Sequence, residues 1–322
     1  MRILYLYKWL KGRPRFMSYG FHAMRGAGQT VFRVALPRAS RWTGRKPDVG
    51  DVWRAAVQRV RPDIVYATTD GLALAATNHL ADCGVPIAAG LMATLDQTDS
   101  FPPEAYRERT DGVICFSHSL KRGLEAIGYS TCQWVRLGTD FSYFPYRSTK
   151  GRYVVSIGND MKRDWPLLDR VAAAMPDVEF RVIGRGPLRF SAANVRYLGD
   201  LAFHKSRRHL RDAGCCLVTT SENRYFSGQT TMVNSLACGT RVVARRDDNI
   251  EGYEDLGGDF HDADAGADAI ADAVRKAISL GAISRDQRAA LCQRYDLPAY
   301  ASGLVRAFER TIVHHRARSA AP

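Results

Sequence analysis

Short apolar runs alternate with longer amphipathic stretches along the chain. This alternation is typical of strands that are joined by helices into a parallel sheet. In the first half, residues 49–59 and 71–82 have helical patterning, and Gly84 and Pro86 mark the return to a strand. The strands predicted in this half are 3–7, 30–35, 63–67, 86–90, 112–116 and 132–136.

A second pattern of the same kind begins after residue 151. Residues 138–151 have no clear periodicity and contain Pro145 and Gly151, so we predict an interdomain linker there. We therefore expect two Rossmann-like α/β domains, over 1–145 and 146–298. The strands predicted in the second half are 153–157, 179–183, 194–197, 215–218 and 241–244, and the helices are 165–174, 230–237, 266–280 and 299–313.

The composition is that of a globular protein: 322 residues with a hydrophobic share of 46%, enough for two buried cores. No run approaches the roughly 20 apolar residues that a membrane-spanning helix needs. Lys8 and Lys11 interrupt the apolar start too early for a signal peptide, so a cytoplasmic protein is expected. The seven cysteines are scattered and include no Cys-x-x-Cys pair, which argues against a zinc ribbon or a disulfide framework.

Positive charge is concentrated at the start of the chain. Residues 1–61 contain 14 lysines and arginines against two acids, Asp48 and Asp51, whereas the whole chain has a net charge of +13. Such a surface fits an anionic partner: a membrane surface, a lipid phosphate, an acidic sugar or a nucleic acid. The alternative is a basic surface that only keeps the protein soluble.

The segment 225–239 combines a turn at Gly228 with a predicted helix. Backbone N–H groups at such a helix start, together with the helix dipole, form a site for a phosphate or diphosphate. Ser227, Thr230 and Thr231 add hydroxyl donors beside it. The alternative is an ordinary helix start that is capped by a serine or threonine side chain.

Two cations follow the strand that ends at Gly158, namely Lys162 and Arg163. Ligands of open parallel sheets bind outside the carboxyl ends of the strands, where these two charges would neutralise a departing diphosphate. The alternative is a solvated basic turn in which Arg163 pairs with Asp164.

Two further patterns exclude other functions. The Gly-x-Gly turn at 184–186 lacks the third glycine and the downstream acid of a dinucleotide site, so NAD is rejected. Asp262 and Asp264 have the spacing of a metal motif, but they lie in a late polar loop and are read as a solvated turn. Neither a metal nor a cofactor is predicted.

Five segments, in this order, resemble the retaining glycosyltransferases of the glycogen-synthase and phosphatidylinositol-mannosyltransferase group (glycosyltransferase family 4), which have the two-domain GT-B fold. The segment 237–244, Ala-Cys-Gly-Thr-Arg-Val-Val-Ala, is the most specific of them. The five segments are 111–121, 135–144, 156–168, 183–186 and 237–244.

The resemblance implies a nucleotide-sugar co-substrate, UDP- or GDP-linked, with Lys162 and Arg163 on its diphosphate. It also implies retention of anomeric configuration and a final helix over 299–315 that packs back on the first domain. Gly12 and Arg13 would belong to the acceptor-side loop. The residues assigned to donor binding are Gly158, Gly184, Arg185, Leu198, Gly199, Glu222, Ser227, Gly228, Gln229, Thr230, Thr231 and Asn234.

The sequence lacks two glutamates and a histidine that are typical of the family. The family has two glutamates with seven residues between them, and Phe226 and Asn234 occupy their positions here. Asn234 could still hydrogen-bond a ribose hydroxyl, and Glu222 could replace the first acid. The family also often has a histidine after the fourth strand, for which Asp96 or His118 could serve.

The leading hypothesis is a metal-independent glycosyltransferase that acts on a glycan or lipid-linked acceptor in cell-envelope or extracellular polysaccharide synthesis. Residues 1–61 would contact the anionic inner face of the membrane. The second hypothesis, suggested by the missing glutamates, is a pseudoenzyme that binds a nucleotide sugar or a partner without catalysis. A nucleic-acid-binding protein is suggested by charge alone, and no specific nucleic acid is expected.

Overall fold

Each half of the chain builds a six-stranded parallel sheet, as the alternation of apolar and amphipathic stretches predicts. Unit 1 comprises Met1–Arg136 and Leu297–Pro322, and unit 2 comprises Leu137–Asp296. The computed structural model describes residues 1–6, 20–34, 48–91, 110–129, 131–158, 163–221, 227–246, 250–262 and 264–320.

The sheet of unit 1 has the strand order β2-β1-β3-β4-β5-β6. Its strands are β1 (Arg2–Leu6), β2 (Thr30–Val34), β3 (Ile64–Ala67), β4 (Ile87–Leu91), β5 (Gly112–Cys115) and β6 (Cys132–Trp134). The helices of the unit are α1 (Phe21–Gly26), α2 (Val49–Val60), α3 (Asp70–Leu80), α4 (His118–Ala126) and, at the end of the chain, α10 (Leu297–Ala320).

Burial explains the apolar runs of unit 1. All four residues of β3 and of β5 are buried, because helices cover both faces of a parallel sheet. Helix α10 packs against the sheet so closely that a Cβ on Gly112 would lie 2.1 Å from the Thr311 hydroxyl oxygen. A glycine at the start of β5 therefore sets how near the final helix can approach.

The sheet of unit 2 has the strand order β12-β11-β10-β7-β8-β9. Its strands are β7 (Val154–Gly158), β8 (Phe180–Gly184), β9 (Val195–Tyr197), β10 (Cys215–Val218), β11 (Arg241–Arg245) and β12 (Asp259–His261). Its helices are α5 (Trp165–Ala173), α6 (Phe203–Asp212), α7 (Gln229–Ala237), α8 (Ala267–Leu280) and α9 (Arg285–Tyr295).

A hydrophobic cluster of unit 2 lies on one face of this sheet. Apolar residues of α5 and α8 pack there against alternate residues of the strands, among them Val154 in β7 and Phe180 and Val182 in β8. Alternate residues of a strand point to opposite faces. The residues between these core positions, such as Arg181, therefore belong to the other face.

All the predicted strands are present, and their ends differ from the prediction by no more than two residues. The predicted linker is not a separate segment, because residues 137–151 all belong to unit 2. Phe144 is fully buried there, and Arg207 Nη1 donates to the carbonyl oxygen of Tyr143. The second unit thus begins at Leu137, before the predicted boundary at 146, and the final helix belongs to unit 1.

Three elements of unit 2 are absent from the sequence prediction: α6, α9 and β12. Helix α6 has the sequence Phe-His-Lys-Ser-Arg-Arg-His-Leu-Arg-Asp, in which only Ser206 and Leu210 are buried. Helix α9 similarly buries only Leu291 and Tyr295. With so few buried apolar residues, neither helix has the run of apolar positions by which the sequence analysis identified helices.

Among the residues that the structure describes, no helix has the length and apolar character that crossing a membrane requires.

Candidate functional site

The start of helix α7 provides an open set of backbone donors in unit 2. Gly228 is the N-cap residue, with φ of 95°, and no described side chain caps the helix. The serine or threonine cap that the sequence left as an alternative is therefore not formed here. The N–H groups of a first helical turn point out of the helix, and the helix dipole favours a negative charge in front of them.

Ser227 lies immediately before this helix start and is only 5% exposed. Its Oγ is buried and has no hydrogen-bond partner within the described part of the chain. A buried hydroxyl without a partner costs about 1–3 kcal/mol. This cost would be removed by a ligand oxygen that accepts from Ser227, so the residue supports a binding site at this position.

Arg163 supplies the positive charge. Its side chain is buried, and its Nη1 would lie 3.2 Å from a Cβ built on Gly228. Its Nη2 donates to Thr231 Oγ1 over 3.5 Å, and Thr231 Oγ1 in turn donates to the carbonyl oxygen of Ile157. The solvated turn that the sequence left as an alternative is excluded for Arg163, because the guanidinium is buried beside the start of α7.

Local backbone pairing explains why Arg163 points inward. Arg163 forms an isolated antiparallel bridge with Thr220, and Asp164 N–H donates to the carbonyl oxygen of Thr219. The Asp164 carboxylate then accepts from Leu167 N–H over 2.8 Å and caps helix α5. The segment after β7 is thus held to the segment after β10. Thr219 and Thr220 are site-forming residues that the sequence analysis missed, although both follow a fully buried strand.

Glycines shape the carboxyl ends of β7 and β8. Gly158 and Gly184 are register partners, and a Cβ on Gly184 would lie 2.7 Å from the Gly158 carbonyl oxygen. The Tyr197 hydroxyl donates to the carbonyl oxygens of Gly184 and Gly186 and so braces this turn. Tyr197 was not a sequence candidate, because a tyrosine at the end of a short strand gives no separate signal.

The remaining donor-side candidates lie around the same edge with different exposure. Arg185 is exposed and pairs with Asp200 over 2.8 Å, and Gly199 accepts from Gly184 N–H through its carbonyl oxygen. Leu198 is partly buried after β9. Among the candidates on α7, Gln229 is fully buried, and Thr230 and Thr231 are partly buried.

Asn234 lies inside helix α7 and is 2% exposed. Its side-chain oxygen accepts a hydrogen bond of 2.6 Å from Thr139 Oγ1, so this oxygen is engaged within unit 2. Burial of both partners makes the contact a fixed feature of the unit. A hydrogen bond between Asn234 and a ribose hydroxyl remains a prediction, and the side-chain amide nitrogen would donate it.

His118 belongs to unit 1, where it begins helix α4 after β5. Its ring stacks on Trp134 with the centroids 4.1 Å apart, and the Arg136 guanidinium lies 5.1 Å from the centre of the same Trp134 ring. These aromatic contacts fix the orientation of the imidazole. A catalytic role for His118 stays a prediction.

Several sequence candidates fall outside the described residues. They are Gly12, Arg13, Asp96, Lys162, Glu222 and Phe226.

The described residues contain no group of three or more histidine, cysteine or acidic side chains that could hold a metal ion. The site in unit 2 combines a buried guanidinium, a helix start without a side-chain cap, a buried hydroxyl and glycines that permit close approach. This donor set suits a phosphate or diphosphate, because each component stabilises negative charge.

Solved structures resemble the whole chain at low sequence identity. Anabaena HepE in complex with UDP-glucose is 13% identical, with a TM-score of 0.73, 96% of this chain covered and 99% of that one. The lipopolysaccharide outer core galactosyltransferase WaaB is 14% identical, with a TM-score of 0.68 and coverage of 96% and 99%. Sucrose-phosphate synthase from Thermosynechococcus elongatus is 13% identical, with a TM-score of 0.72 and coverage of 97% and 100%.

No family model and no curated protein sequence matches the chain. The structural likenesses nevertheless extend over nearly all of both chains in each pair, and the two parallel sheets follow the same architecture. The predicted fold class is confirmed: the chain has the two-domain α/β fold called GT-B.

Proposed function

We propose that this protein is a glycosyltransferase that moves a sugar from a nucleotide-sugar donor to an acceptor hydroxyl. The observation that carries the proposal is the burial of Arg163 beside the start of α7. Support comes from the GT-B fold and from Anabaena HepE, whose structures contain UDP or UDP-glucose. The donor is expected to be UDP- or GDP-linked.

In the proposed reaction the protein mainly positions the donor and the acceptor and stabilises the charge that develops on the diphosphate. As the bond between the sugar and the diphosphate breaks, negative charge grows on the departing phosphate. Arg163 and the N–H groups at the start of α7 would stabilise that charge, and Ser227 Oγ would donate to it. The proposed reaction proceeds with retention, the acceptor attacking from the face that the nucleotide leaves while the departing phosphate helps to remove its proton.

Binding of UDP and GDP to variants of Arg163 tests the donor site. Calorimetry on Arg163→Ala should show about tenfold or greater weakening, because one charge-assisted interaction with the diphosphate is lost. Arg163→Lys should fall between, since lysine keeps the charge but loses the planar fork. Arg170→Ala is the matched control, because Arg170 is an exposed arginine on α5. Equal nucleotide affinity in all three variants and the wild type would refute the assignment.

A pseudoenzyme is the second candidate, and a specific observation favours it. Asn234 stands where the related enzymes have a glutamate, and its oxygen is already bonded to Thr139. A panel of nucleotide sugars, with and without acceptors, distinguishes the two candidates. Release of nucleotide above the level of Arg163→Ala supports the enzyme, whereas tight binding without turnover supports the pseudoenzyme.

The cell-envelope role and the membrane contact through residues 1–61 are part of the proposal. The high density of lysine and arginine in this segment supports attraction to anionic lipid. Sedimentation with anionic and neutral vesicles at rising salt measures it. Salt-sensitive binding to the anionic vesicles alone is expected, and failure to bind at any salt concentration would remove the membrane contact from the proposal.

A further inference from the structure

Unit 2 has, apart from the donor-side residues, a second cavity of about 750 Å³, whose strand residues point away from the cluster that contains Phe180 and Val182. Arg181 lines it, from a position between Phe180 and Val182, which both belong to the core. Arg196 in β9 is the register partner of Arg181, and partners in a parallel pair share a face. Two arginines from neighbouring strands thus lie side by side in the cavity.

Helix α6 forms a wall of the same cavity. Four lining residues, Lys205, Arg208, His209 and Asp212, are spaced three, one and three positions apart. This spacing places them on one stripe of the helix. One side of this helix therefore faces the cavity.

The charge of the lining is strongly unbalanced. It contains six lysines and arginines and one acid, Asp212, which is already bonded to Arg147 and Arg211. Lys150 Nζ is also committed, because it donates to the oxygens of three other residues. Burial and the charge of Arg181 lower the pKa of His209, as expected in a positive environment.

Three cations of the lining, Lys205, Arg208 and Arg196, have few or weak contacts with other described residues. The side chains of Lys205 and Arg208 form no hydrogen bond or ion pair with other described residues. The side chain of Arg196 is 69% exposed and lies 4.0 Å from its nearest acid, Glu179. An excess of cations over acids around one concave site creates a positive potential that attracts anions. Leu198 and Leu201 add an apolar part to the same lining.

This cavity is not the donor site. It reaches Gly151 and Tyr153, at the amino end of β7, whereas the candidate donor residues cluster beyond Gly158. Five residues of extended chain, roughly 16 Å, separate Tyr153 from Gly158. Among the donor candidates, only Leu198 lines the cavity.

We propose that this cavity binds a small phosphate-bearing anion, such as a phosphorylated sugar or another phosphate ester, through Arg196, Lys205 and Arg208. Guanidinium groups bind phosphate oxygens in a bidentate manner, and the volume is that of a small-molecule site. The proposal goes beyond the glycosyltransferase function and does not depend on it. The site would hold a second ligand, in addition to the donor.

Calorimetry with tripolyphosphate tests this site in the wild type and in Arg163→Ala, which lacks the donor-site guanidinium. Binding should persist in both. The triple variant Arg196→Glu, Lys205→Glu, Arg208→Glu should bind at least about tenfold more weakly, because several charge-assisted contacts become repulsive. The matched control, Arg170→Glu, Arg189→Glu, Lys276→Glu, makes the same charge change outside the cavity and should keep the wild-type affinity.

Circular dichroism and thermal unfolding check that each variant is folded. If the triple variant does not fold, the single variant Arg208→Gln, at an exposed position, replaces it. Failure of the wild type to bind tripolyphosphate would overturn the proposal, as would equal weakening by the control. Loss of binding in Arg163→Ala would show that tripolyphosphate binds at the donor site and not in this cavity. Binding only to vesicles that contain anionic lipid, and not to soluble tripolyphosphate, would show that these cations bind a membrane surface and not a small anion.

Discussion

The side chain of Arg163 passes directly over Gly158, so that a Cβ built on Gly158 would lie 2.1 Å from Nε and 2.6 Å from Cγ. No ordinary side chain fits this gap, because real Cβ contacts are not shorter than 3.0 Å. The glycine at the end of β7 is therefore a condition for the buried position of Arg163. The two residues together place a positive charge at the carboxyl edge of the sheet.

Gly158→Ala should displace the Arg163 guanidinium and weaken nucleotide binding by about tenfold, with a loss of about 1–3 kcal/mol in the free energy of unfolding from the steric clash. Calorimetry with UDP and GDP, and urea unfolding, measure the two effects. Gly266→Ala is the control, because a Cβ at that position would have no atom within 4 Å and the φ of −68° suits alanine. If Gly158→Ala binds nucleotide as the wild type does, Arg163 does not set the affinity.

The sequence predicted the strands of both units because each is a short apolar run, and β10, all of whose residues are buried, matched its prediction to the residue. It also predicted that Arg163 and Thr231 belong to one site, through the order of the family motifs. It could not predict that Arg163 is buried. That burial depends on Gly158 and Gly228, which approach the same side chain from different parts of the chain.

The second cavity was equally inaccessible to sequence reasoning. Arg181 and Arg196 become neighbours only through the register of β8 and β9, and the stripe from Lys205 to Asp212 lies on a helix with almost no apolar pattern. A charged residue within an apolar strand, such as Arg181 between Phe180 and Val182, is the signal that could have indicated a polar second face.

Thr139→Val should reduce the free energy of unfolding by about 1–3 kcal/mol, because the buried oxygen of Asn234 loses its donor. Urea denaturation measures the loss. Thr139→Ser keeps the hydroxyl and should retain most of the stability. In the double variant Thr139→Val, Asn234→Leu, no buried polar group of this pair is left unpaired, so the combined loss should be smaller than the sum of the single losses. Strict additivity would show that the two side chains are not coupled.

Gly112→Ala should loosen the final helix from the sheet of unit 1. A Cβ at this position would lie 2.1 Å from Thr311 Oγ1 and 2.9 Å from Thr311 Cγ2, so α10 must shift away from β5. Limited proteolysis and hydrogen exchange of α10 measure the shift, and both should increase. Thr311→Ala removes the two clashing atoms and should restore much of the protection in the double variant. Unchanged protection in Gly112→Ala would contradict the tight packing.

Asp212 should make the stability of unit 2 depend on pH at acid pH. The hydrogen bonds from Arg211, reinforced by the bond from Arg147, lower the pKa of Asp212 below its ordinary value of 3.8. The folded state thus binds its proton less readily than the unfolded state, so the stabilisation is fully present above about pH 4 and is lost as the pH falls through the lower folded pKa.

Because the pair is partly exposed, Asp212→Asn should cost about 1 kcal/mol or less at neutral pH. Urea unfolding at several pH values should show the difference between the two proteins decrease as the pH falls below about 4. Arg147→Gln should remove part of the same pH dependence, since one of the bonds to the carboxylate is lost. A difference between Asp212→Asn and the wild type that is constant from neutral to acid pH would assign the stabilisation to packing instead of charge.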